Sequence, residues 1–363
     1  MSPTGSETNG IERRALEFSA PREVRLLSEE LPPLTEDDIL VESEVSAVSG
    51  GTEMLIYRGE APPGIALDET IGSLGGELRF PLRYGYSLVG RVLRVGAGVD
   101  PGLRGSRVFL FHPHASHAVV PAASAIRISD QIPPERAAFL PNLETAVNLL
   151  LDGAPLIGER VAVFGLGVVG LLTTLLLGRM LRKGVVAVEP RKHRRSLALS
   201  LAPDARCVSP EALDEAMEVV LPDFEGDTET YAPMRSHYTG FDLVYELSGR
   251  PETVNRALEV VGFDGRVVIG SWYGNKTAPV SLGGRFHRGR TRIISSQVST
   301  VDPLLSGRWT SHRRLMTAKS LLDELPLERL VSHELSFDDA PAGYRRLAEG
   351  EAGMMQLLFR YGG

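Results

Sequence analysis

The chain has 363 residues, 43% of them hydrophobic and 23% charged, with a net charge of −7. That length points to two domains and that composition to an ordinary soluble globular protein, so wholesale disorder is excluded. The single cysteine, Cys207, excludes a disulfide framework, a four-cysteine zinc site and a CxxC pair, and fits a reducing cytoplasm; the acidic balance offers no positive field for nucleic acid or an anionic membrane.

Residues 1–10, rich in Ser, Thr, Gly and Glu, read as a frayed tail without an export pattern. From residue 15 to about 129 the signals are those of short strands, at 39–48, 87–95 and 107–111, bounded by Gly and Pro clusters. The stretch 59–84 carries Pro62, Pro63, Gly64, Gly72, Gly75 and Gly76 and predicts a loop over a cleft. Helical spacing of Ala137, Leu140, Leu143, Val147 and Leu150 then predicts one hinge helix over 133–151.

From residue 159 strands and helices alternate: strand 161–164, helix 168–180, strand 185–188, helix 191–201, strand 241–247, helix 252–261, and strands 266–269 and 292–295. Short apolar strands with helices between them predict a parallel sheet covered on both faces. The acidic run 210–238 predicts one helix plus an excursion; a helix at 313–325 and a β-like segment at 354–361 follow, and this tail is assigned back to the first domain. No run reaches the roughly 18 uninterrupted apolar residues of a membrane span, because Gly165, Gly167 and Gly170 break the longest one.

Gly165-Leu166-Gly167-Val168-Val169-Gly170 follows a predicted strand and opens a predicted helix, the context in which GxGxxG signals a dinucleotide. Gly165 allows the tight turn, Gly167 lets the backbone approach a pyrophosphate, and Gly170 lets the helix lie close to the sheet. The phosphates would meet the N–H groups at Val168 and Val169 and the positive end of the helix dipole. Glu189 ends the second strand, where a carboxylate accepts from both adenosine ribose hydroxyls, which favours NAD over NADP. Arg191, Lys192, Arg194 and Arg195 follow, and a reoriented Arg194 is the alternative, a clamp for a 2′-phosphate.

With these residues in place the sequence resembles the medium-chain dehydrogenase/reductase superfamily over nearly its whole length. Val45-Ser46-Ala47-Val48-Ser49-Gly50-Gly51-Thr52-Glu53 is similar to that family's "GxCGTD" segment, and Arg83-Tyr84-Gly85-Tyr86-Ser87-Leu88-Val89-Gly90-Arg91-Val92 to its "GHExxGxV" segment. Gly105-Ser106-Arg107-Val108 is similar to "GDRV", while the segments Phe241 to Gly249 and Gly265 to Gly270 resemble later strands of the coenzyme domain. Tyr84-Gly85-Tyr86-Ser87 and Phe111-His112-Pro113-His114 most resemble the branch that includes bacteriochlorophyllide a dehydrogenase.

The resemblance implies an α/β protein: a GroES-like β-rich catalytic domain from 1–145 and 300–363, with a Rossmann doubly wound parallel-sheet coenzyme domain, 146–299, inserted. It implies a substrate in the cleft between them, Thr145, Ser248 and Gly270 along the coenzyme, a cytoplasmic homodimer joined through coenzyme-domain edge strands, and a small-molecule substrate. The ligand positions of zinc-using members are Gly50, Tyr86, Ser87 and a place near Pro141, so no catalytic zinc is expected.

Hydride transfer to a carbonyl leaves alkoxide-like charge, which without a metal needs a hydrogen-bond donor. Tyr86 is the first candidate and Thr52, at the family's proton-relaying hydroxyl, the second; Glu53 would orient or charge a neighbour. Each has a plainer reading, as a packed aromatic, a turn residue and a loop anchor. His112, His114 and His117 have no carboxylate near in sequence, so His114 is given a structural role or a substrate contact, and Glu144 a salt bridge or a place facing the cleft. The expected function is a zinc-independent, NAD-linked interconversion of a secondary alcohol and ketone on a fairly bulky metabolite. The rivals are NADPH-dependent reduction of a conjugated C=C bond and a non-catalytic dinucleotide-binding module.

Overall fold

The computed structural model describes residues 11–181, 183–220 and 239–362; the expected tail at 1–10 and the 221–238 part of the acidic run lie outside the described residues. The chain divides into two compact units, Met1–Pro141 with Lys319–Gly363, and Asn142–Ala318. Residues 300–318, expected with the terminal segments, group with the second unit.

The first unit begins with a hairpin, β1 (Glu12–Ala20) and β2 (Glu23–Glu30), whose turn places Arg22 at φ 65°. β3 (Asp38–Ala47) leads to a short helix, α1 (Thr52–Tyr57), and then to β4 (Leu88–Val95), β5 (Arg107–Leu110), β6 (His117–Pro121) and β7 (Ile126–Ile128). The long stretch 59–84 holds one 3-10 turn, Gly72–Leu74, and is otherwise loop, as its prolines and glycines dictate.

The hinge helix expected over 133–151 is two helices, α2 (Pro134–Ala137) and α3 (Leu140–Gly153). Pro141 causes the break: it lacks an N–H and its ring clashes with the preceding turn, so it is tolerated only where a new helix starts.

The second unit runs β8 (Val161–Phe164), α4 (Val168–Leu181), β9 (Val185–Val188), α5 (Lys192–Leu201), β10 (Arg206–Val208), α6 (Leu213–Val220), β11 (Phe241–Glu246), α7 (Thr253–Val260), β12 (Val261–Ile269), a one-turn α8 (Arg285–Arg288), β13 (Arg292–Ser295) and α9 (Ser311–Glu324), the last of which crosses back into the first unit. All its strands are parallel, in the order β10-β9-β8-β11-β12-β13. Numbered within the unit this is 3-2-1-4-5-6, the doubly wound Rossmann order, with its switch point between β8 and β11. Every residue of β8 and β9 is buried, as expected of strands covered on both faces. β12 begins five residues before the expected 266 because the chain enters it directly from α7.

Back in the first unit, β14 (Val331–Ser336), α10 (Ala340–Glu349) and β15 (Gln356–Arg360) complete a mixed sheet in the order β14-β15-β3-β4-β5-β7. One edge of β3 is shared: β6 pairs along Asp38 to Glu42 and β15 along Val45 to Ala47. A core of this unit gathers Leu16, Phe18, Met54, Ile56, Tyr84, Phe337, Tyr344 and Phe359. The architecture is thus a β-rich, GroES-like unit from both ends of the chain with a Rossmann sheet inserted. Among the described residues no helix is long and apolar enough to cross a membrane.

Candidate functional site

In the second unit Gly165, Glu189, Leu247 and Gly270 immediately follow β8, β9, β11 and β12, so all four lie at the carboxyl edge of neighbouring strands. The three motif glycines do different work there. Gly165 has φ +94°, and a Cβ on it would stand 2.7 Å from both the Leu247 carbonyl oxygen and the Ser248 Cα. A Cβ on Gly170 would stand 1.9 Å from the Gly165 carbonyl oxygen, so that contact, more than the sheet, demands glycine. Gly167 differs: the nearest atom to its Cβ direction is Arg194 Nη1, at 3.9 Å. Two glycines close the turn and the third leaves an opening above the backbone, next to the half-buried first turn of α4 at Val168 and Val169. That opening, with first-turn N–H groups that no earlier carbonyl can accept, fits a pyrophosphate.

Glu189 is buried, and its carboxylate is already engaged: Oε2 accepts the Leu166 N–H at 2.9 Å and Oε1 the Arg191 N–H at 3.0 Å. Each oxygen keeps a lone pair that could accept a ribose hydroxyl, so the residue ties down the glycine turn and still has acceptor capacity at the carboxyl edge of the sheet. Arg194 Nη1 lies 3.8 Å from Glu189 Oε2, and burial, partly offset by Glu189, lowers the pKa of this guanidinium.

Ser248 borders Gly165, but its hydroxyl turns inward. It donates to Glu246 Oε1 and lies 3.1 Å from the Thr253 hydroxyl. Glu246, fully buried and not singled out from sequence, also accepts the Ser248 N–H at 2.9 Å and the Tyr273 hydroxyl at 2.5 Å. A Cβ on Gly270 would stand 2.6 Å from Leu247 Cδ2 and 2.7 Å from Leu149 Cδ2, which makes it a packing glycine. Thr145 is half-buried on α3. Glu144 pairs with the buried Arg314 at 3.0 Å, the salt bridge of its plainer reading.

The first unit has its own polar cluster. Tyr86 is half-buried, packed edge-on against Tyr84 with ring centroids 6.2 Å apart. Burial pushes its pKa up to about 12, Glu53 adds to the rise, and hydrogen bonds from the Ser49 and Thr52 side chains oppose it. Glu53 and His114 are fully buried, and His114 Nε2 donates to Glu53 Oε2 at 3.0 Å. The carboxylate that is missing near the histidines in sequence therefore arrives from 61 residues away. His114 Nδ1 lies 2.7 Å from Ser46 Oγ, which in turn lies 2.8 Å from the Tyr361 hydroxyl. Glu53 Oε1 accepts the Ser49 N–H at 2.8 Å, Oε2 also accepts the Tyr344 hydroxyl, and the Thr52 N–H donates to Ser49 Oγ at 3.2 Å. Glu53, expected to orient or charge a neighbour, and His114, expected in a structural role or as a substrate contact, thus meet one another, and neither presents an atom at the surface, which leaves His114 the structural role.

Of the positions where zinc-using relatives of the resembled family carry ligands, Gly50 has no side chain, Tyr86 offers a phenol, buried Ser87 donates its hydroxyl to the Ala138 carbonyl at 2.6 Å, and Pro141 has no donor atom. Among the described residues no three His, Cys, Asp or Glu side chains come together in a way that would hold a metal ion. These residues do not fit a zinc ion. His112 stands apart from this cluster: it is buried, Nδ1 donates to the Pro113 carbonyl at 2.7 Å, and burial, then Arg13, pushes its pKa down to about 4.

No family model matches the chain. It is 27% identical over 244 residues to the L-threonine 3-dehydrogenase of Xanthomonas campestris pv. campestris strain B100, covering 67% of this chain and 64% of the relative, less than two thirds of the relative's length. Its fold is similar to that of the "short chain alcohol dehydrogenase" rspB of E. coli CFT073, solved with NADH (TM-score 0.73, 16% identity, 98% of this chain and 100% of that one). It is equally similar to 2R,3R-butanediol dehydrogenase from Bacillus subtilis (TM-score 0.73, 19% identity, 96% and 100% covered). At these identities the solved structures speak for a shared fold.

Proposed function

We propose that this chain is a nicotinamide-dependent dehydrogenase of the medium-chain type that interconverts a secondary alcohol and a ketone, prefers NAD, and works without zinc. The observation that carries the reading is the opening above Gly167 at the switch point of a Rossmann sheet, flanked by Glu189 and closed below by Gly165 and Gly170. The threonine dehydrogenase relative and the alcohol dehydrogenases of like fold support it.

In the second unit Gly167 admits the pyrophosphate, the N–H groups at Val168 and Val169 bind it, and Glu189 accepts from the adenosine ribose. When bound, the nicotinamide supplies or takes the hydride. In the first unit Tyr86 handles the proton. Its high pKa keeps the phenol protonated at neutral pH, so it serves as a hydrogen-bond and proton donor to the developing oxyanion of a ketone. The nearby Ser49 and Thr52 side chains pull the other way and limit that rise. The lack of zinc ligands at Gly50, Ser87 and Pro141 supports the metal-free part, and the long loop 59–84 supports a bulky substrate.

The test is calorimetric titration with NADH and NADPH, followed by a screen of secondary alcohols and ketones with the nucleotide that binds. Tighter binding of NADH and turnover of at least one alcohol are expected. Association with neither nucleotide would sink the proposal.

A further inference from the structure

Tyr344 lies on α10, a helix with no motif of its own, and its ring is fully enclosed: edge-on to Phe18 at 5.3 Å, stacked on Tyr57 at 5.5 Å and tilted on Phe359 at 5.9 Å between centroids. A phenylalanine would satisfy all three contacts. The hydroxyl therefore needs its own reason, because burying it has a cost unless it is bonded. Its partner is the Glu53 carboxylate, 291 residues away in the chain.

Glu53 is fully buried, and its two oxygens receive three donors: the Ser49 N–H, His114 Nε2–H and the Tyr344 O–H. None is a lysine or arginine, so those donors are what make the buried carboxylate tolerable. The turn they stabilise leads into α1. Gly51, the N-cap of α1, offers no side-chain cap, and the Ser49 and Thr52 N–H groups are bonded to the Glu53 carboxylate and the Ser49 hydroxyl respectively. The same network touches Tyr86 from a second side. Gly85 has φ +125°, and a Cβ there would stand 2.8 Å from His114 Cδ2, so the imidazole fixes the path of the chain just before Tyr86.

We propose that Tyr344 is a positioning residue: through the Glu53 carboxylate it holds the Ser49–Thr52 turn and the His114 ring, and so sets where the Tyr86 phenol points. The proposal rests on the reading of Tyr86 as proton donor, but its first two measurements need no substrate.

The experiment uses Tyr344→Phe in the full chain, which keeps the ring packing. The first readout is amide exchange at Ser49, and the second is the fluorine resonance of 3-fluorotyrosine placed at position 86. Exchange at Ser49 should quicken about tenfold, the loss of protection expected when a bond to a carboxylate is removed, while β8 and β11 exchange as before, and the fluorine resonance should shift. The third readout is turnover of the ketone or alcohol found in the screen. There kcat should fall about tenfold with KM for the dinucleotide unchanged, a difference of about 1.4 kcal/mol, and adding Tyr344→Phe to Tyr86→Phe should cost nothing more. Unaltered exchange at Ser49 together with an unmoved fluorine resonance would overturn the proposal, as would a uniform loss of protection across the unit with kcat intact. A silent Tyr86→Phe would instead remove Tyr86 as donor, and Ser49 exchange would still decide whether Tyr344 holds the turn.

Discussion

Glu189 Oε2 accepts the backbone N–H of Leu166, 23 residues earlier in the chain, at 2.9 Å, so the acid at the end of β9 is fastened to the middle of the glycine turn after β8. The same side chain expected to read the ribose also shapes the loop expected to receive the phosphates. Glu189→Ala should therefore weaken NADH binding about tenfold or more through both losses, and NADPH binding less, since a 2′-phosphate gains from removing a negative charge. Calorimetry with both nucleotides checks this; a larger loss for NADPH would reverse the NAD preference.

Replacement of the glycines should separate two roles. The Cβ of Gly167→Ala meets no protein atom nearer than Arg194 Nη1, and Gly167 has no positive φ, so the melting temperature should hold while nucleotide affinity falls about tenfold or more. Gly170→Ala, with its Cβ 1.9 Å from the Gly165 carbonyl, should lower the melting temperature outright. Thermal denaturation beside equilibrium binding tells the two apart.

Tyr86→Phe should lower turnover about 10²- to 10⁴-fold, the usual worth of a positioned proton-transfer group, and leave nucleotide affinity as it was. With the phenol pKa raised to about 12, the donor stays protonated below that pH, so ketone reduction should show no alkaline loss from this group up to pH ~10. A basic limb near neutrality that vanishes in Tyr86→Phe would contradict this.

Acid stability should carry the mark of His112. Its folded pKa, about 4, lies below its unfolded value of 6.5, so between these limits the unfolded chain binds more protons. Stability contributed by this group falls as pH drops from 6.5 towards 4, by up to about 3 kcal/mol, and is unaffected above 6.5. His112→Asn, which retains a donor for the Pro113 carbonyl, should flatten that part of a urea-denaturation profile against pH.

Metal content gives a further check. After dialysis against a chelator the protein should contain no stoichiometric zinc and retain its turnover, because Gly50, Ser87 and Pro141 supply no free ligand. A full equivalent of zinc by atomic absorption, lost together with activity, would restore the metal.

The second unit was largely legible in the sequence because its cues are local. A four-residue apolar strand, a glycine turn and a helix follow one another within 161–181, and β8 and β9 begin and end where the pattern places them. Pro141 was a readable break that the apolar spacing of 133–151 masked. α10 gave no signal, since Pro341 and Gly343 look like breakers. In fact Pro341 sits in the first turn, and a Cβ on Gly343 would stand 3.0 Å from Leu357 Cδ2, so the glycine serves packing. The site in the first unit was only half visible for the same reason. Thr52, Glu53 and Tyr86 stand in recognisable segments, but Tyr344 and Tyr361 join them by contacts across some 300 residues that no local pattern encodes.

The shared edge of β3 has a consequence for biosynthesis. The Rossmann sheet is one continuous run, Asn142–Ala318, whereas β15, which pairs with Val45 to Ala47, is translated after it. A ribosome paused beyond residue 318 would thus present a finished parallel sheet alongside a β3 margin still missing its neighbour, an exposed template for other nascent chains that chaperones would have to shield.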